Sequence, residues 1–240
     1  MEGAGDLLNA LRAHPGFGAA PVLSLSIELP GCAAVLLDDY GGGLALGRHL
    51  LGLGHRNFLT HDGHDYRAIQ RRQGFHAALG ECGLQPESHC VPYTWHSSSL
   101  GQPPSPSAGP FLQLVQAHPE VTCVVGSNDP DACEIAGHLQ RAGYEIPGDL
   151  SLTGYDDTDA LLDQGGTNML TTVRVELREA GRVGAKRLLK QIHGHAEDFA
   201  ATRVTLPADL VARRSTAPPG VGNRTVISPT IPEPNLNSPR

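Results

Sequence analysis

Residues 121–157 read VTCVVGSNDPDACEIAGHLQRAGYEIPGDLSLTGYDD and contain one complete strand–helix–strand unit. Val121 to Gly126 is a short apolar run, the pattern of a strand buried on both faces. Asp129 to Ala142 carries Ala132, Ile135, Ala136 and Leu139 at i, i+3, i+4 and i+7, which is one face of an α-helix. Pro130 suits the first helical position, and Gly143 suits the stop. Leu150 to Tyr155 then returns as a second strand. A helical crossover between two buried strands makes them parallel, because an antiparallel pair needs only a tight turn.

The same alternation extends towards the amino end. Ala33 to Leu37 reads as a strand ending in Asp38-Asp39, and Leu44 to Leu53 as a helix closed by Gly54. Asn57 to Thr60 is the next strand, Tyr66 to Cys82 a helix stopped by Gly83, and Ser88 to Trp95 a further strand. Towards the carboxyl end, Glu176 to Ile192 is a long helix with Leu177, Ala180, Gly181, Gly184, Ala185, Leu188, Leu189 and Ile192 on one face. Its small residues predict close packing. Arg203 to Leu206 and Leu210 to Ala212 complete the series. The fold class is therefore α/β with a largely parallel sheet. Two segments fall outside the pattern. Ser97 to Pro110 is Ser/Pro-rich and reads as an exposed loop, and Ala217 to Arg240, with six prolines, reads as a disordered tail.

In parallel sheets, ligands sit beyond the carboxyl ends of the strands. That rule selects Asp38-Asp39, Thr60-His61-Asp62, Ser127-Asn128-Asp129 and Tyr155-Asp156-Asp157. Adjacent strand residues face opposite ways, so at most one member of each aspartate pair should enter a cleft. Asp129 is either the N-cap of its helix or a carboxylate that accepts bonds from ligand hydroxyls. Arg71 lies on or beside the apolar stripe of Ala68, Phe75 and Ala78, so it needs a partner: an ordinary carboxylate, or a ligand held by two parallel hydrogen bonds. Trp95 is either core or a stacking face for a sugar ring.

Enzyme signatures are missing. Gly52-Leu-Gly54-His-Arg-Asn57 lacks the third glycine of a dinucleotide fingerprint and precedes a strand instead of following one. Nothing matches a phosphate-binding loop or a nucleophile elbow. His61-Asp-Gly-His64-Asp65 has no evident third metal ligand and reads as loop histidines. Neither a metal nor a cofactor is expected. The 240 residues carry a net charge of −7, which argues against gripping nucleic acid or an anionic membrane over the whole surface. Lys186 and Lys190 are the only lysines among 18 basic residues. Five cysteines with no C-x-x-C spacing fit reduced core thiols. No apolar run approaches the length of a membrane span, and the first six residues lack the marks of a secretory leader, so a cytoplasmic protein is expected.

Seven further groups of residues occur in a shared order. They are Gly54-His55-Arg56; Arg71-Arg72-Gln73-Gly74-Phe75-His76-Ala77-Ala78-Leu79; Ser127-Asn128-Asp129; Ile146-Pro147-Gly148-Asp149-Leu150-Ser151-Leu152; Gly154-Tyr155-Asp156-Asp157; Leu170-Thr171-Thr172-Val173; and Leu206-Pro207-Ala208-Asp209-Leu210-Val211 running on to Thr216. Together they resemble the lactose/galactose-repressor (LacI/GalR) family of transcriptional regulators, from about Leu44 to Thr216. The resemblance implies a periplasmic-binding-protein type I effector domain: two doubly wound parallel-sheet lobes with a small molecule, usually a sugar or nucleoside, held between them. It implies a homodimer that responds to that ligand by closing.

On this reading, residues 1–57 with 158–196 form a partial amino-terminal lobe, 58–157 with 197–216 the carboxyl-terminal lobe, and 217–240 the tail. Family ligand contacts fall on Arg71 and Asp129, with Trp95 about where an aromatic stacks; Asn128 and Asp156 complete the candidate set. The family's helix-turn-helix and the first part of its amino-side lobe have no counterpart here, so operator DNA would be reached only through a segment not in this sequence. A start codon set too late, or a decayed gene, would account for that. Asn168-Met169 replaces the proline usual before Leu170-Thr171-Thr172. A solute receptor feeding a transporter is the alternative on the same fold.

Overall fold

The computed structural model describes residues 2–14, 16, 20–96, 107–194 and 199–220. Its elements are α1 (Glu2–Ala13), β1 (Leu23–Leu25), β2 (Ala33–Leu37), α2 (Asp39–Gly52), β3 (Phe58–His61), α3 (Tyr66–Glu81), α4 (Pro86–His89) and β4 (Cys90–Tyr93). They continue with α5 (Ala108–Ala117), β5 (Cys123–Val125), α6 (Asp129–Arg141), β6 (Ser151–Thr153), β7 (Thr172–Val175), α7 (Leu177–Ile192), β8 (Arg203–Leu206) and β9 (Ala208–Val211).

Two parallel sheets result, one ordered β1-β2-β8 and the other β4-β3-β5-β6. An antiparallel pair, β7 with β9, runs between them. Alternation along the strands builds a core on each face of the second sheet. Phe58 and Cys123 point to one side, with Leu50 of α2, Phe75 and Leu79 of α3, Val35 of β2 and Val173 of β7. Leu59 and Val124 point to the other, with Phe111 and Val115 of α5 and Ile135 and Leu139 of α6. The mixed α/β fold with parallel sheets is as the sequence predicts.

Several details differ from the expectation. α2 begins at Asp39, not Leu44, so Gly41, Gly42 and Gly43 are helical. The reason is the approach of α3. A Cβ at Gly43 would lie 2.0 Å from the Arg71 carbonyl oxygen, and one at Gly74 would lie 1.9 Å from that of Tyr40. Only glycines let two helix backbones meet so closely. α5 was not foreseen; its first three residues belong to the segment read as a loop, and 97–106 lie outside the described residues. Residues 217–220, expected in the tail, are engaged: the Ala217 carbonyl accepts from His55 Nε2 at 2.9 Å and from Ser151 Oγ at 3.2 Å. The rest of that segment, 221–240, lies outside the described residues. β8, expected with the carboxyl-side residues 58–157, pairs with β2. Finally, α7 packs on β1 and β2 through Ala180 and Gly184, while Leu177, Leu189 and Ile192 stay exposed.

Candidate functional site

The order β4-β3-β5-β6 places a switch point between β3 and β5, since the chain leaves β3 to one side and returns on the other. A crevice opens there at the carboxyl ends. It is occupied by a cavity of about 50 Å³ lined by Thr60 and His61 at the end of β3, Gly126 and Ser127 after β5, and Arg71, Phe75 and Tyr155. That volume holds a few waters, whereas small-ligand pockets run to roughly 300–1,000 Å³.

Arg71, which lines this cavity, belongs to a cluster of four charged side chains. Arg71 Nε donates to Asp39 Oδ1 at 2.8 Å, its Nη2 to Asp156 Oδ1 at 3.0 Å, and its Nη1 to the Ser127 carbonyl at 2.6 Å. Its guanidinium carbon stands 3.7 Å from the centre of the Tyr155 ring. Arg67, one turn earlier on α3, bonds the same two carboxylates at 2.9 and 3.0 Å. Burial opposes the Arg67 charge, but the bonds to Asp39 and Asp156 outweigh it and hold that charge firmly. Burial, with the Asp39 carboxylate nearby, pushes the Tyr155 phenol up, so it stays neutral. Two positive and two negative groups balance, as a desolvated charge cluster must.

The two Asx-Asp pairs at the strand ends are built alike. Asp38 caps α2 by accepting from the Gly41 N–H at 2.8 Å, and Asn128 caps α6 by accepting from the Asp131 N–H at 2.8 Å. The following residue, Asp39 or Asp129, is the first of the helix and turns inward, 2% and 0% exposed respectively. The capping role considered for Asp129 thus belongs to Asn128. Asp129 Oδ1 accepts from Thr172 Oγ1 at 2.6 Å, and Oδ2 from the Thr158 N–H at 2.8 Å. Burial pushes its carboxyl above the usual range against these bonds. Gly154 allows the approach, because a Cβ there would lie 2.2 Å from Asp129 Oδ1.

The structure therefore brings Arg71 and Asp156 into one cluster. Asn128 and Asp129 stand at the adjoining helix start. Trp95 lies elsewhere: it is 5% exposed, meets Phe111 edge-on at 5.5 Å in the core, and donates Nε1–H to Glu134 at 3.2 Å. Of the 156–157 pair only Asp156 joins the cluster; Asp157 bonds Arg174 and Arg213 instead, at a turn where φ is +96° and +55° at the two residues. Asp39 and Tyr155 stand at the strand ends selected from the sequence but are absent from the candidate set of Arg71, Trp95, Asn128, Asp129 and Asp156, and Arg67 and Thr172 were given no site role. The signal for Arg67 was its i−4 spacing from Arg71. Around His61, Asp65 caps α3 by accepting from the Ala68 N–H, and no metal-holding group of three or more His, Cys, Asp or Glu occurs among the described residues. No described helix is long and apolar enough to cross a membrane.

Comparison with known proteins gives a consistent result. The profile of the periplasmic binding protein-like domain family matches residues 48–216. The HTH-type transcriptional regulator DegA of Bacillus subtilis is 30% identical over 186 residues, 77% of this chain and 52% of that protein. The regulator GalR of Escherichia coli is 30% identical over 174 residues, 70% of this chain and 47% of that protein. The chain spans about half the length of the curated relatives it matches. Among solved structures, a regulator from Enterococcus faecium with bound ribose superposes at a TM-score of 0.74 with 27% identity, covering 89% of this chain and 75% of that one.

Proposed function

The chain belongs to the LacI/GalR-type periplasmic-binding-protein-like family, and from that premise we propose that it senses a small effector for a transcriptional regulator. The effector is a neutral polyhydroxylated molecule, a sugar before a nucleoside. It is bound where α2, α3, the β5–α6 turn and residues 154–159 meet. The observation that carries this reading is Arg71: a guanidinium stacked on Tyr155, with two carboxylates in reach and a cavity beside it. Hydroxyls recognised by such a site exchange bonds with Arg71, Asp156 and Asp129, while Asn128 holds the helix start in place. The first choice of ligand follows the ribose of the Enterococcus structure.

The cavity is too small for a sugar as it stands. Binding therefore requires Asp156 or the 156–159 turn to give way, and the two sheets to change their relation. A ligand shifts such an equilibrium only by its different affinity for the two states. On this proposal the protein works in the cytoplasm as a homodimer and turns nothing over. Operator DNA is read by a helix-turn-helix outside these 240 residues. The test is thermal unfolding with D-ribose, hexoses, cellobiose and nucleosides. An effector at one hundred times its Kd adds about 2.7 kcal/mol, or roughly 5–10 °C for a chain of this size. No shift with any of these classes would overturn the reading.

A further inference from the structure

Three chain passages connect the two sheets. The first runs from β2 into α2 at Asp38–Asp39, the second is β7, and the third is β9. All three are fastened to two adjacent residues. Asp156 bonds Arg67 and Arg71, and both arginines also bond Asp39 of the first passage. Asp157 bonds the second and third. Its Oδ2 accepts from Arg174 Nε of β7 at 2.7 Å, and its Oδ1 from Arg213 Nη2, just beyond β9, at 2.7 Å. Arg213 in turn donates Nη1–H to the Leu170 carbonyl at 2.8 Å, ahead of β7. The Asp156 N–H also reaches the Val173 carbonyl at 2.8 Å. The left-handed backbone at both aspartates aims consecutive carboxylates at different partners, which a strand could also do, but a strand could not keep both at one junction. Residues held in sparsely populated backbone regions persist only where their surroundings over-determine them, and they concentrate at switch regions.

We propose that Asp157 is a positioning residue for the cleft: its grip on Arg174 and Arg213 fixes the turn that aims Asp156 at Arg67 and Arg71. The junction then couples the contents of the cleft to all three passages at once. A ligand that draws Asp156 away from Arg71 disturbs the turn, and with it the hold of Asp157 on β7 and β9. This coupling rests on the effector reading above, but its test does not need the effector.

Asp157 makes no bond to Arg71, so the two substitutions should be energetically independent unless the junction transmits between them. A double-mutant cycle of Asp157→Asn and Arg71→Gln, read by urea unfolding of the whole chain, measures this. Independent distant sites add to within about twofold in the unfolding constant. The expected result is a departure of at least about fourfold, with Asp157→Glu restoring part of the loss. A purely local ion pair would instead give the same loss in both Arg71 backgrounds, and that additive outcome overturns the proposal. If Asp157→Asn does not fold, the cycle is run with Arg174→Gln, which removes one exposed arm of the same clamp. Additivity together with sugar binding at Arg71 would reject the coupling and leave the function standing. Coupling without any sugar binding would do the reverse.

Discussion

Replacing Gly74 with alanine should loosen the protein, although alanine is the better helix former. Gly74 lies inside α3, where alanine's greater propensity alone would add about 1 kcal/mol. The new Cβ, however, would stand 1.9 Å from the Tyr40 carbonyl oxygen and 2.8 Å from the Leu44 nitrogen, both backbone atoms of α2. The shortfall from ordinary van der Waals contact is about 1.5 Å, and backbone cannot swing aside as a side chain can. Overpacking of this kind costs about 1–3 kcal/mol or more. The strain is relieved by parting α2 from α3, but those helices carry Asp39 on one side and Arg67 and Arg71 on the other. Weakening a buried ion pair from one side is worth up to about 3–5 kcal/mol. A net loss of about 2–4 kcal/mol is expected, a large share of the stability of an ordinary domain. The internal control is Gly80→Ala on the same helix, whose Cβ meets nothing within 4 Å and which should gain up to about 1 kcal/mol. Urea unfolding with unchanged m-values reads both. If Gly74→Ala matched Gly80→Ala in sign, the account of how α2 and α3 place the charge cluster would be wrong.

Asp129→Ala leaves Thr172 Oγ1 and the Thr158 N–H without an acceptor, so unfolding should come about 1–3 kcal/mol sooner, and any sugar-induced rise in Tm should disappear. Trp95→Phe should lower stability by about 1–2 kcal/mol through the lost Glu134 bond and lost volume, yet leave sugar affinity unchanged in a calorimetric titration; weaker binding would return Trp95 to the site. His55 is 1% exposed, between Thr122 Oγ1 and the Ala217 carbonyl, and burial holds its pKa below the usual histidine value. The unfolded chain therefore takes up the proton first, so stability is complete above about pH 6.5 and falls as pH drops through that value. Thermal unfolding at pH 7.5 and 5.5 should show this fall, and His55→Gln should reduce it, with His49, His61, His76 and His138, likewise lowered by burial, supplying the remainder.

The helices and strands with strong apolar periodicity were legible before the structure. The α6 stripe of Ala132, Ile135, Ala136 and Leu139 is wholly buried, β5 and β6 fall inside their expected limits, and β3 runs one residue past its own, to His61. What failed to show was whatever depends on a neighbour. The helix expected from Leu44 starts five residues earlier, at Asp39, and the glycines at 41–43 that it takes in fit there because α3 packs against them. α5 buries just Phe111 and Val115, too weak a stripe to stand out beside a Ser/Pro-rich segment. For the site, the strand-end rule selected Asp39, Asp129 and Asp156, and the buried-arginine argument selected Arg71. It could not show which carboxylate each arginine holds, because α2, α3 and residue 156 meet only in space. Trp95 had two open readings, and packing against Phe111 places it in the core.

The most direct test of the account is a calorimetric titration of D-ribose, and of whichever sugar raises Tm most, into the wild-type chain and Arg71→Met. The account predicts one saturable site per chain, and at least a tenfold loss of affinity when the guanidinium is removed. Undiminished binding to Arg71→Met would contradict it, and the effector would have to be sought away from the crevice between β3 and β5.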